Sequence, residues 1–145
     1  MTTATTTKAP AKKPAAKNYT EAVGRRKTAI ARVRVSEASK SAYTINDRDI
    51  TAYFPTEELR AIATSPVVRE GFEAKFAITA KIVGGGIHAQ AEAFRHGLSR
   101  ALIKSGAEEK TVLKKMGFLS RDARKKERKH FGLKKARKAS QWSKR

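Results

Sequence analysis

The amino-acid sequence predicts an α+β protein, a two-layer sandwich in which helices back one face of a small sheet. Apolar and polar residues alternate along two separate stretches, which is the pattern of half-buried strands. A run of three glycines follows the second stretch and leads into a segment with apolar residues at helical spacing. With 39% hydrophobic residues, the 145-residue chain can form one modest core, so we expect a single domain with extensions.

The first predicted strand covers residues 26–35. One of its faces is small and aliphatic: Ala29, Ala31, Val33 and Val35. The other face is polar and mostly cationic, interrupted only by Ile30: Arg26, Thr28, Arg32 and Arg34. A strand of this kind buries its aliphatic face and shows a ladder of arginines to solvent.

The next elements are shorter. After the turn "SEASK", residues 41–47 predict a second strand. Residues 56–64 predict a short helix, because Thr56 can cap it, acids occupy its first turn and Pro66 lies just beyond its end.

The clearest pattern begins with a strand at residues 72–83, in which apolar residues occupy every second position. After Gly84, Gly85 and Gly86 we predict a helix over residues 87–104. Its expected buried stripe is Ile87, Ala91, Phe94, Leu98 and Leu102, whereas other faces carry Gln90, Arg95, Ser99 and Arg100. A last helix is predicted over residues 108–118, ended by Gly117.

Charge divides the chain into three parts. The net charge is +20, from 33 Lys and Arg and 13 Asp and Glu. Residues 1–18 form a basic arm with a net charge of +4, which we predict to be disordered. Residues 19–120 form the predicted globular domain and carry only +6. Residues 121–145 hold twelve basic and two acidic side chains, so this predicted C-terminal tail carries +10, half of the total.

Several classes of function lack the residues they need. The chain has no cysteine, so disulfides, thiolate zinc sites and cysteine nucleophiles are excluded. No apolar run is long enough to cross a membrane. His88 and Glu92 stand one helical turn apart, but two residues do not make a metal site. No catalytic constellation is visible, so we predict no enzymatic activity, no metal and no cofactor.

The glycine run leaves one enzymatic alternative open. Gly84, Gly86 and Ala89 fit the spacing G-x-G-x-x-A, which in dinucleotide-binding folds brings a pyrophosphate to the start of a helix. That fingerprint also requires an acid about 20 residues later, after a following strand. Glu108 and Glu109 instead open a predicted helix, and no further strand pattern follows it.

The excess of cations predicts an anionic partner, for which nucleic acid is the leading class and an anionic membrane surface the rival. "GRRK", residues 24–27, stands immediately before the arginine ladder, and together they form a basic stripe. In the tail, Trp142 is a lone aromatic among cations, as a base-stacking contact requires. From composition, a tail that orders on RNA is favoured over a free random tail.

Three stretches resemble one known family. "GGGIHAQAEAFRHGLSRAL" at 84–102 is similar to the signature of the bacterial S-nine family of small-subunit ribosomal proteins, with Gln90, Gly97, Ser99 and Arg100 at its spacing. "GRRKTAIARVRV" and the terminal "FLSRDARKKERKHFGLKKARKASQWSKR" look like the same family's other landmarks. Trp142 replaces the usual Phe, and Ser140 the common Pro; both substitutions leave the tip of the tail intact.

The resemblance implies more than the residues themselves do. It implies a fold of the type of the second domain of ribosomal protein S-five, carrying a long basic C-terminal extension. It also implies a cytoplasmic, ribosomal location in the head of the small subunit, among neighbouring ribosomal proteins, and no small-molecule substrate. The tail would thread through small-subunit rRNA, and its tip would contact peptidyl-site tRNA through Ser143, Lys144 and Arg145.

We therefore predict that a set of cations binds rRNA phosphates: Arg25, Arg26, Lys27, Arg32, Arg34, Arg95, Arg100, Arg121, Arg124, Arg128, Lys129, Lys134, Lys135, Arg137 and Lys138. The alternative that remains is a basic protein outside the ribosome that coats DNA.

Overall fold

The computed structural model describes residues 19–68, 74–106 and 110–144. Along the chain these residues form β1 (Thr20–Arg26), β2 (Ala29–Glu37), β3 (Ala42–Ile45), β4 (Arg48–Asp49), α1 (Ile50–Tyr53), α2 (Glu57–Thr64), β5 (Phe76–Val83), α3 (Ile87–Ser105) and α4 (Lys110–Lys115). The five strands make one sheet in the order β1-β2-β5-β3-β4. The predicted α+β class is therefore confirmed.

The pairing of the strands places β2 and β5 next to each other at the centre of the fold. β1 and β2 are antiparallel, as are β2 and β5, whereas β3 runs parallel to β5. Val33 lies opposite Ala80 and Val35 opposite Ile78, so the apolar faces of both strands coincide. Helix α3 packs on this side against β1 and β2, and α2 packs against α3.

The core contains most of the residues that the sequence patterns predicted. Ala29, Ala31, Val33 and Val35 of β2 are buried, and so are Ala91, Phe94, Leu98 and Leu102 of α3. Two residues of α3 differ from the prediction. Ile87 is 53% exposed because it stands at the first position of the helix, before the helix reaches the sheet. Ser99 is fully buried, and its hydroxyl donates to the carbonyl of Arg95, which satisfies it inside the helix.

The sequence patterns missed three elements: β1, β4 and α1. β4 follows a tight turn at Asn46 and Asp47, both with positive φ, and the short helix α1 follows β4 directly. The predicted first strand began at Arg26, but a two-residue turn at Lys27 and Thr28 separates β1 from β2. The start of the predicted strand at 72 and that of the predicted helix at 108 lie outside the described residues.

β1 is packed unusually close to α3, and glycines make this possible. A Cβ atom on Gly24 would lie 2.0 Å from the carbonyl oxygen of Ala93 and 2.3 Å from the backbone nitrogen of Gly97. A Cβ atom on Gly97 would lie 2.8 Å from Cγ2 of Val33. The helix can rest on the backbone of β1 only because neither residue has a side chain.

Among the described residues, no helix is long and apolar enough to cross a membrane.

Candidate nucleic-acid interface

The face of the sheet opposite α3 is open to solvent. Because side chains alternate along a strand, Ile30, Arg32 and Arg34 of β2 lie on this open face. The register pairs Arg32 with Lys81 of β5, so cations of two central strands stand side by side. A shallow depression of about 340 Å³ lies here, lined by Arg32, Arg34, Thr44, Asn46, Asp47, Thr79, Ala80 and Lys81. The open face therefore offers cations together with hydroxyl groups, which are the donors that phosphates accept from.

Two acids lie at the open face: Asp47 lines the depression, and Glu21 pairs with the arginines. Glu21 of β1 lies between two arginines, with its carboxylate oxygens 3.5 Å from Nε of Arg32 and 3.1 Å from Nε of Arg34. Arg34 also stacks over the ring of Tyr19, with its Cζ 4.9 Å from the ring centroid. Both arginines remain about half exposed, at 59% and 47%. Glu21 and Tyr19 thus orient the guanidinium groups and leave them accessible.

Arg26 does not belong to this arginine ladder, contrary to the sequence prediction. Arg26 pairs across the hairpin with Ala29, which is buried, so Arg26 faces α3 and not the open face. The two-residue turn accounts for the error, because it reverses the chain between the two positions. The side chain of Arg26 is only 14% exposed, and its charge is met by Glu92 of α3, which accepts from Nε.

Arg26 also holds the beginning of the C-terminal tail. Its Nη2 lies 3.1 Å from the carboxylate of Asp122, and its Nη1 donates to the carbonyl oxygen of Arg124 at 3.1 Å. The Asp122 carboxylate in turn accepts from the backbone and side chain of Arg124. These bonds from Arg124, with the nearby charges of Arg124 and Arg26, hold the pKa of Asp122 well below its ordinary value. We call the group formed by Arg26, Glu92, Asp122 and Arg124 the tail anchor.

The tail anchor borders a second basic depression. It has a volume of about 410 Å³ and includes Arg25, Arg26, Arg95, Arg121 and Arg124 in its lining. Arg95 lies over the ring of Phe118, with its Cζ 5.3 Å from the ring centroid. His96 accepts a hydrogen bond from the backbone N–H of Arg25. Burial, and the nearby charge of Arg100, lower the pKa of His96.

The glycine run forms contacts with other parts of the protein. Gly84 and Gly85 have φ values of +73° and +70°, which favour glycine, and a Cβ atom on Gly84 would lie 2.7 Å from the carbonyl oxygen of Thr28. Gln90 donates to the carbonyl oxygen of Gly84 at 3.1 Å and accepts from the hydroxyl of Tyr53 at 2.9 Å. The glycines thus form a tight turn between β5 and α3 that packs against the β1–β2 hairpin.

This arrangement argues against a dinucleotide site. Such sites lie in parallel sheets, where a strand, a helix and a second parallel strand follow one another. Here β5 is flanked by antiparallel β2 on one side. No strand follows α3 in the described residues up to 144, which contain one isolated β-bridge between Leu133 and Ala139. His88 and Glu92 approach to 3.9 Å, and no three metal-ligating side chains gather among the residues that the structure covers.

The tail leaves the domain without a helix or an extended strand. Its described residues, 121–144, are almost all exposed, including Phe131 and Trp142 at 96% and 85%. Within it, the backbone N–H of Lys134 donates to the carbonyl oxygen of Lys138 at 2.7 Å, and Leu133 forms a bridge with Ala139. The side chain of Arg137 donates two hydrogen bonds to the carboxylate of Glu127. The tail therefore has local order between residues 127 and 139.

The structure sorts the predicted rRNA-binding residues into three groups. Arg32 and Arg34 lie on the open face. Five line the second depression: Arg25, Arg26, Arg95, Arg121 and Arg124. Lys27 stands in the turn between β1 and β2, next to Arg26. Six lie along the exposed tail: Arg128, Lys129, Lys134, Lys135, Arg137 and Lys138. Arg100 stands apart on α3, where its guanidinium donates to the carbonyl oxygen of Val23.

The predicted tRNA-contacting tip is described only in part. Ser143 and Lys144 are exposed, and Arg145 lies outside the described residues.

Lys81 and Tyr19 were not among the predicted site residues, although they belong to the open face. The polar positions of the strand at 72–83 contained the signal for Lys81, but only the register shows that this lysine lies opposite Arg32. Tyr19 precedes β1, a strand that the sequence pattern did not reveal.

Comparison with known protein families agrees with this geometry. A family model described as ribosomal protein S9/S16 matches residues 24–145, which include the end of β1, the whole of β2, β5 and α3, and the tail. The chain belongs to the ribosomal protein S9/S16 family.

Proposed function

We propose that this protein is a structural, non-catalytic constituent of the small ribosomal subunit. In this proposal it binds small-subunit rRNA in the head of the subunit, among neighbouring ribosomal proteins. Its C-terminal tip touches the peptidyl-site tRNA. The domain would have the fold of the second domain of ribosomal protein S-five.

The family match over residues 24–145 is the observation that carries the proposal. Membership of a ribosomal protein family supports a place in the ribosome, where rRNA is the abundant anionic partner. A net charge of +20 would make the folded chain repel itself, and phosphate contacts relieve that repulsion.

The distribution of cations supports two modes of rRNA contact. The arginines of the open face project from β2, and those of the second depression come from β1, from α3 and from the anchored start of the tail. The exposed tail carries half of the net charge on 25 residues, so it can follow a path between RNA helices that a globular domain cannot enter. The folded domain would set the position of the protein, and the tail would extend its reach.

The tip of the tail supports the tRNA contact. Ser143 and Lys144 are exposed, and Arg145 follows as the last residue of the sequence. A hydroxyl and two cations in succession can donate to consecutive backbone phosphates without reading base sequence.

Sedimentation of a cell lysate in a sucrose gradient tests the main proposal. We expect the chain to travel with the small subunit and to remain there in salt that strips loosely bound proteins. A basic protein that coats DNA would instead stay at the top of a nuclease-treated gradient. Its binding to duplex DNA would also be as tight as its binding to rRNA.

A further inference from the structure

Residues 127–139 of the tail close into a loop through their own contacts, and we call this segment the tail loop. Nε of Arg137 donates to Glu127 at 2.8 Å across ten residues of chain. Inside this contact, Leu133 bridges Ala139, and the carbonyl oxygen of Lys138 accepts from Lys134. A loop that is already closed loses less conformational entropy when it binds a partner than an open chain does.

The tail loop presents one aromatic ring to solvent. The N–H of Leu133 donates to the carbonyl oxygen of His130 at 3.4 Å, so Phe131 and Gly132 occupy the corner of a turn. Gly132 has a φ of +77°, which suits glycine at the third position of such a turn. Phe131 precedes it and is 96% exposed. The ring is accessible, and a flat accessible ring on a cationic segment is the type of side chain on which unpaired bases stack.

The tail loop that carries this ring is cationic. A depression of about 560 Å³ at the tail loop is lined by Lys126, which precedes the loop, and by Glu127, Lys129, Lys134, Lys135 and Ala136. Its one acid, Glu127, is engaged by Arg137, and this contact holds the pKa of Glu127 below its ordinary value. The four lysines are therefore free of an acidic counter-charge within this depression. Lysines of this kind attract phosphate groups.

We propose that Phe131 is a stacking site for an unpaired rRNA base, with the adjoining phosphates bound by Lys129, Lys134 and Lys135. An exposed ring in a loop that also carries several lysines matches the chemistry of a nucleotide, whose base is flat and whose phosphate is anionic. A protein partner would need an apolar pocket for Phe131 and acids for the lysines at the same place. This assignment rests on the proposed function, because it takes rRNA as the partner.

Chemical probing of whole small subunits tests the stacking site. Subunits would be prepared with the wild-type protein or with Phe131→Leu, Phe131→Tyr or Trp142→Leu, and the reactivity of each rRNA nucleotide would be measured. We expect Phe131→Leu to expose one or two unpaired nucleotides, with at least a several-fold rise in their reactivity. Phe131→Tyr should leave these nucleotides protected as in the wild type, because it keeps the aromatic ring. Trp142→Leu, the matched control in the same tail, should affect other nucleotides.

A photo-reactive benzoylphenylalanine at position 131 identifies the partner directly. Crosslinks to an rRNA nucleotide that Phe131→Leu exposes would support the stacking site. Crosslinks to a ribosomal protein alone would overturn it, as would unchanged rRNA reactivity in Phe131→Leu subunits that hold a full complement of the protein. If the wild-type chain is absent from the subunits, the proposed function itself fails, and the stacking site fails with it.

Discussion

The guanidinium of Arg26 on β1 lies 3.1 Å from the carboxylate of Asp122, across 96 residues of sequence. This contact joins the first strand of the domain to the first residues of the tail. It is reinforced by Glu92 on α3 and by the carbonyl oxygen of Arg124. The tail therefore leaves the domain at a fixed point, and the local direction of its first residues is set by the protein itself.

Replacement of Arg26 by Ala should release the beginning of the tail. Arg26 is mostly buried and holds Asp122 and Arg124, so its loss leaves the tail anchor without its centre. We expect tryptic cleavage after Arg121 and Arg124 to become several-fold faster in the free protein. The salt dependence of rRNA binding should change little, because the Arg26 side chain is only 14% exposed and its charge is met by Glu92 and Asp122, whereas Arg34 is 47% exposed. Arg34→Ala is the control: it should leave cleavage unchanged and reduce the salt dependence.

The close crossing of β1 and α3 predicts that Gly24 tolerates no side chain. Gly24→Ser would place Cβ within 2.3 Å of the backbone of Gly97, and backbone atoms cannot move aside cheaply. We expect the free energy of unfolding to fall by about 1–3 kcal/mol or more, as in overpacked cores. Gly86→Ser is the matched control, because nothing lies within 4 Å of a Cβ atom there and serine is favoured at a helix N-cap. Equal stability of both variants in guanidinium titrations would contradict the crossing.

The open face predicts opposite effects from the removal of Glu21 and from the removal of its arginines. Glu21 pairs with Arg32 and Arg34, so Glu21→Gln should free both guanidinium groups and strengthen binding to a head-domain rRNA fragment. The double variant Arg32→Gln, Arg34→Gln should make the negative slope of log K against log salt shallower by about 1.4–1.8. This corresponds to about 0.7–0.9 for each lost phosphate contact.

Lys40→Gln controls for net charge, because Lys40 is exposed in the connection between β2 and β3. We expect it to change the slope by less than either arginine does. Slopes that depend only on total charge, whichever cation is removed, would show that the open face has no special role.

The tail loop predicts an acid titration that depends on Arg137. The hydrogen bonds from Arg137 lower the pKa of Glu127 from its ordinary 4.5. A lowered pKa in the closed loop means that the contact is fully present above pH 4.5 and is lost as pH falls through the lowered value. NMR titration of the Glu127 carboxyl group should show this, and Arg137→Gln should return the midpoint toward 4.5. An identical midpoint in the two proteins would show that the loop is open in solution.

The tip of the tail should act on tRNA and not on assembly. We expect removal of Lys144 and Arg145 to leave the protein in the subunit, because most cations of the tail lie before residue 139. Peptidyl-site tRNA should dissociate faster from such ribosomes, since two charged contacts are lost. An unchanged dissociation rate, measured on subunits with full occupancy, would show that the tip does not reach the tRNA.

Sequence alone determined the elements whose pattern is regular. β2, β5 and α3 follow from alternation and from helical spacing, because each buries one continuous face against the same core. Local charge likewise marked the tail and the arginines of β2 as the basic regions. Each of these features depends on residues that are close in the sequence, so the sequence alone is enough to predict them.

The tertiary structure determined the features that depend on contacts between residues far apart in the sequence. β1 escaped detection because its helix-facing positions are Ala22, Gly24 and Arg26, which do not form an apolar face that alternates with polar residues. Gly24 lacks a side chain because α3 packs directly on the strand there. The same crossing turns Arg26 from an apparent member of the arginine ladder into the centre of the tail anchor. Its acids lie 66 and 96 residues away, and only the folded chain brings their charges together.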